Sequence, residues 1–146
     1  MLGLPKKNQY ALRAILELAK HMDHGPVKIS DIAAAQSIPL RFLEVILNQL
    51  KASGIVDSKR GFHGGYFLVK APSQVSVGDV LRFLNRDLQA ADCIACVSKS
   101  SCPFDGRCSF ASMWIQVKQA TFDIYDQTSF QDLIDREGQS GRTDAP

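Results

Sequence analysis

Ser37-Ile38-Pro39-Leu40-Arg41-Phe42-Leu43-Glu44-Val45-Ile46-Leu47-Asn48-Gln49-Leu50-Lys51 is the stretch on which the reading of the whole chain turns. Pro39 suits the first turn of a helix, where its missing N–H costs no hydrogen bond, and Gly54 supplies a stop after about Ser53. Leu40, Leu43, Ile46, Leu47 and Leu50 recur at three and four residues, which puts them on one inner stripe. Arg41, Glu44, Val45, Asn48 and Lys51 are left on the outer face. Upstream, Ser30 is placed to cap a short helix carrying Ile32, Ala33 and Ala34, and Ser37-Ile38-Pro39 makes the turn between the two helices. Two short helices joined by a tight turn form the helix-turn-helix pattern.

The flanks extend this pattern. Ala11, Ala14, Ile15, Leu18, Ala19 and Met22 mark one buried face of a helix from Gln9 to about Met22, broken by His24-Gly25-Pro26. After Gly54, Ile55 to Ser58 and Tyr66 to Val69 read as short strands around Lys59-Arg60-Gly61-Phe62-His63-Gly64-Gly65, a basic, glycine-rich hairpin tip, or wing. Ser76 opens a further helix with Val77, Val80, Leu81 and Leu84 on one side. A long irregular stretch follows, and then Phe110, Met113, Trp114, Val117, Thr121, Ile124 and Tyr125 recur at near-heptad spacing from about Ser109 to Asp126, a pattern suited to helix-on-helix packing. Ser129 to Ile134 reads as a last short helix, with a frayed end beyond Glu137.

Charge is unevenly distributed. Residues 1–72 carry ten Lys and Arg against five acids, whereas the remainder carries seven against ten. A basic half joined to an acidic half fits a phosphate-binding module attached to an assembly module. On the outer helix face, Arg41 can grip the two acceptors of guanine and Glu44 can accept from the amino group of cytosine in the major groove. Arg60 suits the minor groove, His63, Lys59, Lys6 and Lys7 suit phosphates, and Gly61, Gly64 and Gly65 let the wing backbone approach closely. No run reaches the 18 or so apolar residues of a membrane span, and the opening residues lack the apolar core of a signal peptide, so a cytoplasmic protein is expected. No nucleophile–base pair, Walker-type loop or dinucleotide fingerprint points to an enzyme.

All four cysteines, Cys93, Cys96, Cys102 and Cys108, lie within sixteen residues. In a reducing compartment such clustering favours metal ligation or redox sensing over structural disulfides. Thiolates suit an iron-sulfur cluster, either 2Fe–2S or 4Fe–4S. Tetrahedral zinc usually draws on two close cysteine pairs, and only Cys93 and Cys96 make one. A metal-free thiol switch remains a further alternative, as does a small iron-sulfur electron-transfer protein, which would not need the outer face of the helix or the wing.

Taken in order, Tyr10-Ala11-Leu12-Arg13-Ala14, Ile38 to Glu44, Gly54 to Gly61 with Gly64-Gly65-Tyr66, Val77-Gly78-Asp79-Val80, and Cys96, Cys102 and Cys108 ahead of Trp114 resemble the Rrf2 family of bacterial winged-helix regulators, in its IscR- and NsrR-like branches. The resemblance runs from about Lys7 to Leu133. It implies a DNA-binding regulator, read here as a repressor, that forms a homodimer on a near-palindromic operator, with the long helix near the C-terminus crossing its twin. It also implies that Cys96, Cys102 and Cys108 hold the cluster. The IscR-like histidine three residues after the last cysteine is replaced by Ala111, and the NsrR-like acid before the Ala-Leu-Arg segment is replaced by Gln9, beside Asn8. The fourth ligand is therefore Cys93, Gln9, Asn8, a histidine or an exogenous group. The expected architecture is mainly α with a small β-wing: a winged helix-turn-helix domain over 1–84, a cysteine-rich loop over 85–108, a dimerisation helix and short C-terminal helix over 109–137, and a flexible tail over 138–146.

Overall fold

Six helices and one hairpin make up the computed structural model, which describes residues 4–85 and 107–140. The helices are α1 (Lys6–Lys20), α2 (Ile29–Gln36), α3 (Leu40–Lys51), α4 (Val77–Leu84), α5 (Ala111–Gln127) and α6 (Phe130–Ser140). The strands β1 (Val56–Lys59) and β2 (Gly65–Leu68) pair antiparallel, with Val56 opposite Leu68 and Lys59 opposite Gly65. The mainly helical class with a small wing is thus the observed one. No described helix is long and apolar enough to cross a membrane.

Burial follows the inner stripes closely, with instructive exceptions. Ala11, Ala14, Ile15 and Leu18 of α1, Ile32 of α2 and Leu43, Ile46, Leu47 and Leu50 of α3 meet Val56, Leu68 and Val80 in one core. Leu40 departs from its expected inner position and is 45% exposed. It is the first residue of α3, with Pro39 as its cap, and so lies before the stripe turns inward. Met22 likewise falls in a 3₁₀ turn, Met22–His24, that begins where α1 ends, and it is exposed. Ser30 is not the cap of α2. That helix begins at Ile29, with Lys28 in the capping position and no side chain bonded to its first N–H groups.

The C-terminal elements return to this core. Ser76 does cap α4, its Oγ accepting from Asp79 N at 3.1 Å while the Asp79 carboxylate accepts from Ser76 N at 3.0 Å. Ser129 and Asp132 make the same reciprocal pair at 3.1 and 2.9 Å ahead of α6. The two caps lie side by side, because Val77 N donates to Thr128 O at 2.9 Å and Phe130 N donates to Val75 O at 3.0 Å. Phe130 is wholly buried in the head's core, so α6 shares that core. Lys20 of α1 meets Glu137 of α6 at 2.7 Å, and α6 continues to Ser140, past the end read from its apolar pattern. At the same corner the Arg82 guanidinium donates to both Asp126 oxygens at 2.5 and 2.6 Å, which joins α4 to α5. Gly78 makes this close crossing possible, since a Cβ there would strike the Asp126 carboxylate.

Two outcomes are expected. Phe130→Ala removes the largest fully buried side chain and should cost about 3–5 kcal/mol in urea unfolding. Acid should loosen the corner. The hydrogen bonds from Arg82 hold the Asp126 carboxyl below its ordinary value of 3.8, and those from Ser129 do the same for Asp132. A depressed carboxyl contributes stability in full above its unfolded value and loses it as pH falls through the native value. The fluorescence of the single tryptophan, Trp114 on α5, should therefore hold steady above about pH 5 and shift below about pH 4 before global unfolding, and Asp126→Asn should abolish much of the early change.

Candidate nucleic-acid interface and cysteine site

The helix-turn-helix is held by groups outside it. Ser37, at the end of α2, takes a left-handed conformation with φ 51° and ψ 48° that turns the chain into α3. Arg13 of α1 donates to the Gln36 carbonyl oxygen at this corner, satisfying an acceptor the helix end leaves open. Arg13 also lies 5.3 Å from the Tyr10 ring centroid, and Tyr10 in turn sits 6.3 Å from Phe42 of α3. The turn angle is thereby locked to α1. The residue pattern did not single out Arg13 for this role, because a capping contact 23 positions away leaves no local signal.

The outer face of α3 is as expected. Arg41, Glu44, Val45, Asn48 and Lys51 are all exposed, and no ion pair among the described residues engages Arg41 or Glu44. Lys51 instead donates to Ser58 Oγ at 2.9 Å, bracing α3 against β1. Phe42 adds to this face, 61% exposed beside Arg41.

The wing is rigidly seated. Val27 and Tyr66 exchange backbone hydrogen bonds of 2.8 Å in both directions, so the segment before α2 extends the β-hairpin. Gly65 is required at this junction: its φ is +153°, and any Cβ would strike the Val27 carbonyl. Lys59, Arg60, Gly61 and His63 are exposed at or near the tip, whereas Gly64 is buried inside the turn, its N–H donating to Gly61 O at 3.0 Å. Lys6 and Lys7 are exposed on the first turn of α1, with Lys6 5.8 Å from the Tyr10 ring centroid. The outer face of α3, the wing tip and the start of α1 therefore carry exposed cations on a braced frame.

Of the cysteines, Cys93, Cys96 and Cys102 lie outside the described residues. Cys108 is free and half-buried, and its carbonyl accepts from Ala111 N at 3.1 Å, so it stands at the threshold of α5. Among the described residues no group of three or more His, Cys, Asp or Glu is arranged to hold a metal. Asn8 is buried on α1's inner face, and the Gln9 amide nitrogen donates to Leu4 O at 2.7 Å. His21 Nδ1 lies 2.9 Å from Glu17 O, in keeping with a role at the helix end.

Comparison with known proteins agrees with this frame. The family described as Rrf2, Iron-dependent Transcriptional regulator, matches residues 4–136. The HTH-type transcriptional regulator IscR of Pectobacterium atrosepticum is 31% identical over 131 residues, covering 90% of this chain and 78% of that one. IscR of Erwinia tasmaniensis is 31% identical over 134 residues, covering 92% and 79%. Among solved structures, T. potens IscR superposes with a TM-score of 0.76 at 28% identity over 95% of this chain and 90% of its own. CymR, the global cysteine regulator of B. subtilis, superposes with a TM-score of 0.72 at 28% identity over 91% and 96%.

Different cations on this surface should fail differently. Arg41→Ala should cost about 1–3 kcal/mol on a selected duplex and relax preference at one base pair. Lys59→Ala should weaken all duplexes alike and lower the slope of log affinity against log salt by about one. Titrations of matched and scrambled duplexes at several salt concentrations separate the two.

Proposed function

Because the chain belongs to the Rrf2 family of transcriptional regulators, and is no enzyme but a DNA-binding regulator, we propose that its operator occupancy is set by an iron-sulfur cluster held by its own cysteines. The observation that carries this reading is the Cys96-x5-Cys102-x5-Cys108 series ending at the threshold of α5, with Cys93 three residues ahead of it. Thiolate sulfur in a polar stretch of sequence, with Pro103, Asp105, Gly106 and several serines between the cysteines, is a donor set that fits iron-sulfur chemistry. When bound, such a cluster supplies a site that oxidants, nitric oxide or iron shortage can alter. Cys93 is proposed as the fourth ligand. Burial of Asn8 on its own helix face and the bond from Gln9 to Leu4 support Cys93 over those two.

The protein is proposed to work as a homodimer and to act as a repressor on a near-palindromic operator. Support comes from α5, none of whose 17 residues is buried and which leaves Met113, Ile115 and Ile124 exposed, with Phe110 exposed at its cap. An apolar helix surface of that kind is covered by a partner in stable assemblies. The chain's own residues then provide the coupling. Cys108 sits where α5 begins, and α5 meets the head through Asp126 and Arg82 near its other end. A change in the loop's packing alters the seat of α5, and with it the spacing of the two α3 helices in a dimer. A tenfold change in operator affinity requires only about 1.4 kcal/mol between the two arrangements.

A metal-free thiol sensor is the second reading, favoured by the structural likeness to the Staphylococcus aureus CymR oxidized form, with a TM-score of 0.69 at 26% identity. Protein purified without oxygen separates the two. The cluster reading expects visible absorption, iron and sulfide, with operator affinity changed about tenfold or more by replacing Cys96, Cys102 and Cys108 with Ala. Colourless protein whose DNA binding ignores those substitutions overturns it. Colourless protein that responds to oxidation of its thiols selects the second reading.

A further inference from the structure

Phe62 is 83% exposed, more than any other large hydrophobic side chain among the described residues; Ile124 follows at 65%. It stands at the wing tip between Gly61 and the buried Gly64, whose N–H bond to Gly61 O closes the turn beneath it. Lys28 Nζ lies 5.3 Å from the ring centroid, and His63 meets it edge-on at 5.1 Å. Lys59 and Arg60 precede it in the strand and tip.

This is an apolar ring with the Lys28 ammonium against it and Lys59 and Arg60 close by in the chain, a collar of cations on a hairpin that Val27 and Tyr66 brace from behind. An apolar protein surface would have to strip water from Lys28, Lys59 and Arg60 to reach the ring, and would return nothing to them. A duplex minor groove satisfies both demands. Its phosphate walls pair with the collar, and its floor of stacked base pairs accepts an inserted apolar wedge.

We propose that Phe62 is such a wedge. It enters the minor groove beside the segment contacted by α3 and partly unstacks one base step, bending the duplex toward the major groove. Flexible pyrimidine–purine steps (TA, CA or TG) yield at least cost, so Phe62 confers sequence preference at a position where no hydrogen bond reads a base. Arg60 contributes charge in the same groove, whereas Phe62 contributes deformation. The inference rests on the reading of the head as an operator reader.

The test uses duplexes that the full-length chain itself recovers from a randomised pool, resynthesised with 2-aminopurine at the step flanking each half-site and with that step changed to a stiff A-tract. Wild type should brighten the 2-aminopurine on binding and prefer the flexible step by about tenfold. Phe62→Ala should lose both effects while keeping its salt dependence, and Phe62→Leu, still an apolar wedge, should keep much of both. The exposure of Phe62 makes the fold indifferent to either substitution, which an unchanged melting temperature confirms. Wild type without brightening, or Phe62→Ala with brightening and preference intact, overturns the wedge and leaves the operator-reading head standing. A wild-type chain that recovers no duplex at all overturns both.

Discussion

Among the described residues, the placement of α5 and α6 against α4 turns on one backbone junction. Val75 and Val77 exchange hydrogen bonds with Phe130 and Thr128, and this places the end of α5 against the start of α4. Such a junction cannot slide, because two reciprocal Ser–Asp caps hold the ends of the helices that meet there. Phe130 then fills the core of the head from the far side. Leu133, Ile134 and the Lys20–Glu137 pair add to the hold of α6 on α1, and Arg82 with Asp126 adds a side-chain tie between α4 and α5. Both of those groups are about 40% exposed, so solvent screening leaves the ion pair a positioning contact more than a source of stability.

The head is fixed by a similar economy of contacts. Three long-range ties set the angles of its reading surfaces: Arg13 to the end of α2, Lys51 to Ser58 across α3 and β1, and Val27 to Tyr66 behind the wing. Two of them lie off the outer face of α3, and the remaining one pins Lys51, at the C-terminal end of that face, to β1. A surface that must accept DNA gains from this arrangement, since the backbone beneath it is already ordered while Arg41 and Arg60 are exposed and pair with no acid among the described residues.

Elements with a strong period were legible from residues alone. Apart from Met22 and Leu40, the stripes of α1 and α3 are buried as spaced, the strands lie within one residue of their expected bounds and the Ser76 cap is formed, because each is dictated by near neighbours in the chain. What escaped that reading was set by distant partners. The start of α2 at Ile29 owes nothing to a side-chain cap, the exposure of Leu40 depends on where the turn delivers α3, and the length of α6 reflects its packing on α1 and the pair between Lys20 and Glu137. The outer face of α3 was equally legible, since exposure is the complement of a well-marked stripe. The role of Gly64 was not: glycine in a basic tip reads as close approach to a ligand, whereas here it is the inside of the turn. Cys93, Cys96 and Cys102 fall outside the described residues, so the cysteine cluster stands on spacing and on the place of Cys108.

The uneven charge acquires a physical use in this arrangement. The basic surplus lies in residues that build the helix-turn-helix and wing, and the acidic surplus in residues beyond them, where Asp126 and Asp132 are both committed to the α5–α6 corner. The exposed cations of α3, the wing and the start of α1 draw phosphates to those elements before any base is read. The regulation proposed above has no need to create or destroy the binding surface. In the proposed homodimer it would have only to change how that surface is presented relative to its twin, and the contacts from Cys108 to the start of α5, and from Asp126 near its end to Arg82 of α4, are the proposed route.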